Sequence, residues 1–119
     1  MIAVIIEMWL APGREDDYLK FAVSLRRELE GIDGFISVER FQSLTEPGKL
    51  LSLSIWRDEE AVRAWRTNSA HLPAQKAGRS GIFADYRTRV ASVVRDYGMY
   101  ERAQVPEDSR AVHDEKAAL

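Results

Sequence analysis

The sequence predicts an α+β fold with a four-stranded antiparallel sheet and two helices. Three observations lead to this prediction. Strand-like and helix-like segments follow one another in the order strand, helix, strand, strand, helix, strand. Turns that contain Gly and Pro separate most of these segments. The 119 residues are enough for one domain with a single hydrophobic core.

The first strand and the first helix have the clearest patterns. Residues 2–9 are rich in Ile and Val, which favours a largely buried strand, and an Ala-Pro-Gly turn follows it. Apolar side chains recur at helical spacing over residues 14–29, with acids in the first turn and arginines near the last. This pattern predicts an amphipathic helix, which the glycines at 31 and 34 end.

A hairpin is predicted next, with strands at 35–44 and 50–57 joined by a turn at 45–48. In its second strand, two serines and a tryptophan share one face, and three aliphatic residues share the other. The face with the serines suits a cavity wall or a wet interface, and equally a partly exposed face of the sheet. Its members are Ser52, Ser54 and Trp56.

The last elements are a second helix, a strand and a tail. Asp58 is expected to cap the helix, and Pro73 is expected to break it into two pieces. The β-branched residues within 86–97 favour a strand. We therefore predict one domain over residues 1–100, followed by a polar arm or disordered tail over residues 101–119.

This order of elements is the ferredoxin-like βαββαβ arrangement, in which both helices lie on one face of the sheet. The other face of the sheet then has no cover within one chain. If that face is apolar, a second copy of the chain is its natural cover, and the two sheets close face to face into a barrel. We therefore expect a homodimer.

The composition excludes several classes of function. The 17 Lys and Arg residues are spread among 19 Asp and Glu residues, so no basic patch for nucleic acid is expected. The absence of cysteine rules out disulfides, thiolate metal sites and cysteine nucleophiles. No segment has the pattern of a signal peptide or a membrane span, so the expected location is the cytoplasm.

Several short motifs occur in an order that is typical of one family. They are Gly34-Phe35 at the start of the second strand, Leu53-Ser54-Ile55-Trp56 at the end of the third strand, Asp58-Glu59-Glu60-Ala61 at the start of the second helix, and then Trp65, His71, Gln75 and the stretch 86–90. With these residues, the sequence resembles the antibiotic biosynthesis monooxygenase (ABM) domains of the dimeric α+β barrel superfamily over residues 1–100.

The resemblance implies a homodimer with one cavity in each subunit, between the sheet and the helices. It also implies a monooxygenase that oxidises a small aromatic substrate, of quinol or anthrone type, with O₂ and without a cofactor or metal. Such chemistry is physically reasonable, because an electron-rich aromatic anion can itself give an electron to O₂. The protein then has to position the substrate and stabilise its charge.

Four residues are the candidate catalytic groups under this resemblance. Trp65 stands where members of the family have a functional helix tryptophan, and His71 is a residue type that accepts protons near neutral pH. An arginine of the last strand, Arg87 or Arg89, would stabilise a phenolate or an oxyanion. The structural alternatives are a core tryptophan, a satisfied helix-end histidine, and arginines that are solvated or pair across a dimer.

The candidate substrate pocket includes residues from both ends of the second helix. Trp56 is expected mainly to pack between strand and helix, and the late aromatic residues either pack or act as a lid. The full set is Ser52, Ser54, Trp56, Asn68, Gln75, Phe83 and Tyr86. Glu7 also stands out in an apolar strand. A buried carboxyl there would have a raised pKa, but an edge position that faces solvent or the other subunit is the favoured interpretation.

Two other functions are also considered. A non-catalytic dimer that binds a small apolar ligand, or acts in a stress response, would use the same cavity. Haem binding or degradation is disfavoured, because the first strand lacks that branch's asparagine and Gln75 stands where its iron-binding histidine is expected. The quinone-forming branch is not fully matched either, since its helix asparagine is Ala61 here.

Overall fold

Four strands and two helices follow one another in the predicted order in the computed structural model, which describes residues 1–67 and 81–110. The elements are β1 (Ile2–Leu10), α1 (Glu15–Glu30), β2 (Phe35–Gln42), β3 (Lys49–Trp56), α2 (Glu59–Thr67) and β4 (Phe83–Ser92). The strands form one antiparallel sheet in the order β2-β3-β1-β4, which confirms the ferredoxin-like α+β fold. No helix of the described residues is long and apolar enough to cross a membrane.

The central strand β1 shows which side chains lie on each face of the sheet. Its even-numbered residues face the helices, since Val4 and Met8 belong to the buried core. Val4 lies opposite Ser54 of β3 and Val90 of β4, so these residues share the helix-covered face. Side chains alternate along a strand, so Ile5 and its partners lie on the other, open face.

The core consists of two clusters, and α1 contributes to both. Near the end of α1, Leu29 packs with Trp56 of β3 and Val62 of α2. Near its start, Tyr18 packs with Met8 of β1. The helix therefore runs along the sheet in the direction opposite to β1, and its apolar stripe covers the even-numbered side of that strand.

The open face of the sheet is apolar at its centre. Ile5 of β1 lies between Leu53 of β3 and Arg89 of β4. The side chains of Ile5 and Leu53 are only partly buried. Neither α1 nor α2 covers this face, since both pack on the other one. Its apolar members are Ala3, Ile5, Phe41, Leu51, Leu53, Ile55 and Ala91.

Glu7 lies on this open face in a central strand, so the expectation of an edge position is wrong. Its carboxylate accepts a hydrogen bond from Arg89 Nη1 at 2.9 Å and lies 3.6 Å from Lys49 Nζ. Desolvation raises the pKa of this carboxyl, but the charges and hydrogen bonds of Lys49 and Arg89 outweigh it and lower the pKa overall. Glu7 is therefore ionised at neutral pH and does not serve as an acid there.

The strand β4 begins and ends earlier than the strand predicted within residues 86–97. Phe83 pairs with Leu10 across an irregularity in the ladder, which extends the strand toward its start. At the other end, β4 finishes at Ser92. The N–H of the next residue, Val93, donates to the carbonyl oxygen of Met1, just before β1. The helix break predicted at Pro73 lies outside the described residues.

The chain beyond β4 has local structure up to residue 110. The N–H of Asp96 donates to Gln104 Oε1 at 2.7 Å, and the N–H of Gly98 donates to the Glu101 carbonyl oxygen at 2.8 Å. Val105 is buried, whereas Tyr100 is almost fully exposed. The boundary between a domain and a tail near residue 100 stays a prediction.

The start of α2 is fixed by Asp58, as predicted. Asp58 Oδ1 accepts a hydrogen bond from the backbone N–H of Ala61 at 2.9 Å, which is an N-cap. This bond, together with the neighbouring Arg57 guanidinium, lowers the pKa of the Asp58 carboxyl. The cap places the first turn of α2 against the residue that precedes β2.

That residue is Gly34, and its position requires a glycine. Its φ is +90°, and an added Cβ would lie 2.6 Å from the Cβ of Ala61. Its carbonyl oxygen also accepts the N–H of Arg57 at 2.8 Å. The chain therefore enters β2 in direct contact with α2.

We predict that Gly34→Ala destabilises the protein more than Gly48→Ala. Both glycines have positive φ, at 90° and 78°, which costs an alanine about 1–2 kcal/mol. Only at residue 34 does the new methyl group overlap Ala61, which adds about 1–3 kcal/mol. Urea unfolding followed by circular dichroism measures both losses. Equal losses would show that the contact with α2 does not constrain residue 34.

Candidate active site

Trp56, at the end of β3, is in direct contact with Trp65 of α2. The Trp56 and Trp65 rings stack with centroids 5.4 Å apart, and Phe35 meets Trp56 edge-on at 5.3 Å. The Trp56 side chain is fully buried, and its Nε1–H donates to Ser54 Oγ at 2.9 Å. The structure therefore places Ser54 and Trp56 in the packed core and not at the wall of a cavity.

Trp65 lies at the boundary of this core. It is partly buried, and one face of its ring is against Trp56. Its neighbour one turn earlier in α2, Ala61, is buried, whereas Arg66 and Thr67 are exposed. Trp65 therefore packs at the edge of the core, and its role in a substrate site stays a prediction.

A groove lies between α2 and β4 on the helix-covered face. Its volume is about 380 Å³, which is within the range of roughly 300–1,000 Å³ that is usual for small-molecule sites. The floor at β4 is Val90, and Tyr86 lies on the same face of that strand, where both are about half exposed. The residues that line the groove are Glu59, Glu60, Val62, Arg63, Arg66 and Val90.

Arg87 and Arg89 lie on the face of the sheet opposite to this groove. In the register of β4, Arg87 pairs with Glu7 and Arg89 pairs with Ile5, and both positions of β1 are on the open face. The role of either arginine in stabilising a substrate anion stays a prediction. The alternation of side chains had put both arginines on one face, but the sequence did not reveal which face the helices cover.

The late aromatic residues belong to a second cluster, at the far end of the sheet from Trp56. Phe83 meets Tyr18 and Phe21 of α1 edge-on, with centroids 6.0 Å and 6.2 Å apart. Tyr86 extends the cluster, 6.3 Å from Phe83. Phe83 is thus a packing residue at the start of β4, while Tyr86 leads from it toward the groove.

Of the remaining candidate residues, Ser52 alone lies within the described part of the chain. His71, Asn68 and Gln75 lie outside the described residues, so their roles stay predictions. Ser52 is partly buried on the helix-covered face, opposite Arg40 of β2. Within residues 1–67 and 81–110, no three His, Cys, Asp or Glu side chains are grouped as metal ligands.

The sequence pattern missed a polar pair between α1 and β2. The Tyr18 side chain is 4% exposed, and its hydroxyl makes no hydrogen bond of ordinary geometry. Burial raises the pKa of this hydroxyl, and the nearby Arg40 guanidinium partly opposes that rise. Arg40 is two residues from Val38 in β2, so both side chains lie on the helix-covered face. This alternation was the only signal in the sequence that could have revealed the pair.

Comparison with known proteins identifies the family. Residues 1–77 match the family described as antibiotic biosynthesis monooxygenase. The chain belongs to this family. The match includes β1, α1, the hairpin and α2, which are the elements that position both tryptophans.

Individual ABM relatives share the sequence or the fold. The chain is 50% identical over 93 residues to the jasmonate monooxygenase ABM of Pyricularia oryzae. The matched segment is 78% of this chain but only 43% of that relative. The chain thus spans less than half the length of this relative.

Two solved structures are similar in fold. Rv0793 from Mycobacterium tuberculosis has a TM-score of 0.72 at 15% identity, covering 82% of this chain and 98% of that one. SnoaB, a cofactor-independent oxygenase from Streptomyces nogalater, has a TM-score of 0.68 at 12% identity, covering 80% and 95%. At these identities the likeness shows that the chains share a fold.

We predict that Arg40→Gln raises the pKa of Tyr18 further. Loss of the positive charge removes the group that favours the phenolate, while burial still disfavours it. Because burial raises the folded-state pKa above the ordinary value of 10.0, the stabilisation by neutral Tyr18 is present below that pH. It is lost as the pH rises through the folded-state pKa. Ultraviolet titration of tyrosinate, with Tyr18→Phe to identify the signal, measures the shift. An unchanged titration would show that Arg40 does not act on Tyr18.

Proposed function

We propose that the chain is a monooxygenase that oxidises a small aromatic substrate, of quinol or anthrone type, with O₂ and without a bound cofactor. The observation that carries this proposal is the groove of about 380 Å³ between α2 and β4, beside Trp65, in a chain of the ABM family. The lining of the groove combines two apolar residues, Val62 and Val90, with four charged residues, Glu59, Glu60, Arg63 and Arg66. A flat aromatic molecule with one ionisable hydroxyl fits such a site.

The proposed reaction needs no outside reductant. An anthrone loses two hydrogens from one carbon and gains one oxygen atom there, and the second oxygen atom of O₂ leaves as water. The substrate itself supplies all four electrons that reduce O₂. The first step is loss of a proton from the substrate, and the resulting anion then transfers an electron to O₂. The protein contributes by holding the anion and stabilising its charge.

The proposal gives a role to three residues. The Trp65 ring packs against the aromatic substrate, since it lies on α2 between Val62 and Arg66, which both line the groove. His71 accepts or holds the substrate proton, as its residue type allows near neutral pH. Arg63 lines the groove, and its guanidinium stabilises the substrate anion. In this proposal Arg87 and Arg89 belong to the subunit interface.

The jasmonate monooxygenase relative supports a second class of substrate. Its name refers to jasmonate, which is a small apolar carboxylic acid and not an aromatic compound. The chain is 50% identical to part of that protein. We therefore include small apolar acids in the substrate panel alongside quinols and anthrones. Hydroxylation at a saturated carbon supplies only two of the four electrons that reduce O₂, so these assays contain an added two-electron reductant.

We also propose that the chain forms a homodimer through the open face of its sheet. The apolar centre of that face, around Ile5 and Leu53, is only partly buried in one chain. A second copy of this face would cover it and would remove its apolar area from water. Glu7 pairs with Lys49 and Arg89 within one subunit, so these three charges keep their partners when the two faces meet.

Oxygen uptake tests the proposed activity. Purified, metal-stripped protein should consume O₂ above the autoxidation background with at least one member of the substrate panel. Trp65→Phe and His71→Ala should each lower that rate by about tenfold or more, since they disturb substrate position or proton transfer. Trp9→Phe is the matched control, because Trp9 is on the open face and donates to Glu46 Oε1 at 3.1 Å. Uptake at background level would favour a non-catalytic ligand-binding protein.

Light scattering tests the proposed dimer. The wild-type chain should have twice the mass of one subunit, which is 13.6 kDa. Leu53→Glu should give the mass of one subunit, because it places a charge at the centre of the interface. Leu19→Glu should leave the dimer intact, since Leu19 is exposed on the outer side of α1. A wild-type mass of one subunit would rule out the dimer.

A further inference from the structure

The open face of the sheet carries charges of opposite sign on its two edge strands. Glu39 of β2 is exposed on one edge, and Arg87 and Arg89 of β4 are exposed on the other. Three strand spacings, or about 14 Å, separate the two edges. The acid of β4 on this face, Asp85, lies near the start of that strand, opposite Trp9. The middle of the open face is therefore acidic along β2 and basic along β4.

One row of residues crosses all four strands at the centre of this face. Glu39 is opposite Leu53, Leu53 is opposite Ile5, and Ile5 is opposite Arg89. An acid thus stands at one end of the row and an arginine at the other, with two partly buried apolar side chains between them. A dimer contact centred on Ile5 and Leu53 brings this row of one subunit against the same row of the other.

The charges on the two edges are not neutralised within one chain. In the described part of the chain, neither Glu39 nor Arg87 forms an ion pair. Arg89 does pair with Glu7, which also lies near Lys49, but this group of three has one more positive charge than negative. Each subunit therefore presents an acid on β2 and surplus positive charge on β4 to a second copy.

The two-fold axis of a face-to-face dimer has two limiting directions, across the strands or along them. An axis across the strands sets Glu39 against the partner's Glu39 and Arg89 against the partner's Arg89, and such like charges repel. An axis along the strands sets β2 against the partner's β4. Glu39 then meets the partner's Arg89, and Leu53 meets the partner's Ile5. Of the two directions, the second pairs opposite charges and also covers the apolar centre.

We propose that the two-fold axis runs along the strands and that Glu39 of each subunit pairs with the arginines of the partner's β4. The partner's Arg89 is directly opposite, and the partner's Arg87 approaches from two residues along the strand, about 7 Å away. Two-fold symmetry makes each contact twice. The inference rests on the proposed dimer and adds the orientation in which a second copy of this chain binds.

A double-mutant cycle tests the pairing, with the dissociation constant of the dimer measured by sedimentation. Glu39→Lys should raise this constant at least about tenfold, since it sets a lysine against two arginines in both contacts. Arg87→Glu should raise it by a smaller factor, because Arg89 remains. The combined variant should dimerise more tightly than Glu39→Lys alone, because the new lysine then meets the new glutamate.

Native mass spectrometry of the wild-type chain mixed with the combined variant tests the direction of the axis. An axis along the strands sets like charges together in the mixed dimer. Mixed dimers should therefore be fewer than the half that random pairing gives after subunits exchange. An axis across the strands would have the opposite effect, because Glu39 would then meet the new lysine and Arg87 would lie near the new glutamate.

The control is Lys20→Glu, which reverses an exposed charge on α1, on the other side of the sheet. It should leave the dissociation constant unchanged and should mix with the wild-type chain at random. Two results would overturn the inference and leave the dimer standing: effects of the two substitutions that simply add, or an excess of mixed dimers. A wild-type chain with the mass of one subunit would instead rule out the dimer itself, and the inference with it.

Discussion

The burial of Trp56 is the contact on which the other elements depend. Its indole fills the space between the sheet, the end of α1 and the start of α2, and its N–H is satisfied by Ser54 within the same strand. A buried indole N–H without such a partner would be costly. Trp65 can stack on this ring because the Asp58 cap begins α2 where it does. The glycine at 34 then lets β2 start against that same turn.

A consequence of this packing is that the two faces of the sheet have different tasks. The helix-covered face holds the core, the groove and the Tyr18–Arg40 pair. The open face holds an apolar centre with ionised groups at its rim, of which Glu7 is kept charged by Lys49 and Arg89. A site for an organic substrate and a surface for a second subunit can therefore exist in one small domain without overlapping.

The order of the elements, the N-cap at Asp58 and the family could be predicted from the sequence, because each depends on local periodicity or on motifs. The face of the sheet on which a strand residue lies could not be predicted from the sequence. In β3 both alternating sets contain large apolar side chains, so Leu53 and Trp56 gave no indication of which set the helices cover. The face on which Arg89 lies was open for the same reason: its phase along the strand was predictable, but the covered face was unknown.

Long-range contacts were also beyond the reach of sequence patterns. Tyr18 fitted the apolar stripe of α1, and nothing near it in the chain indicates that Arg40 lies beside its hydroxyl. The early start of β4 likewise depends on the pairing of Phe83 with Leu10. Such features follow from how the elements pack together and not from the local pattern of either segment.

The central claim is that the substrate binds on the helix-covered face while the open face joins two subunits. Methyl NMR of valine- and leucine-labelled protein tests it most directly. Addition of a naphthoquinol without O₂ should shift the Val62 and Val90 methyl signals, which line the groove, and should leave those of Leu51 and Leu53 in place. Dilution of the dimer should shift the Leu51 and Leu53 methyl signals and leave those of Val62 and Val90 in place. Ligand-induced shifts confined to Leu51 and Leu53 would contradict the account.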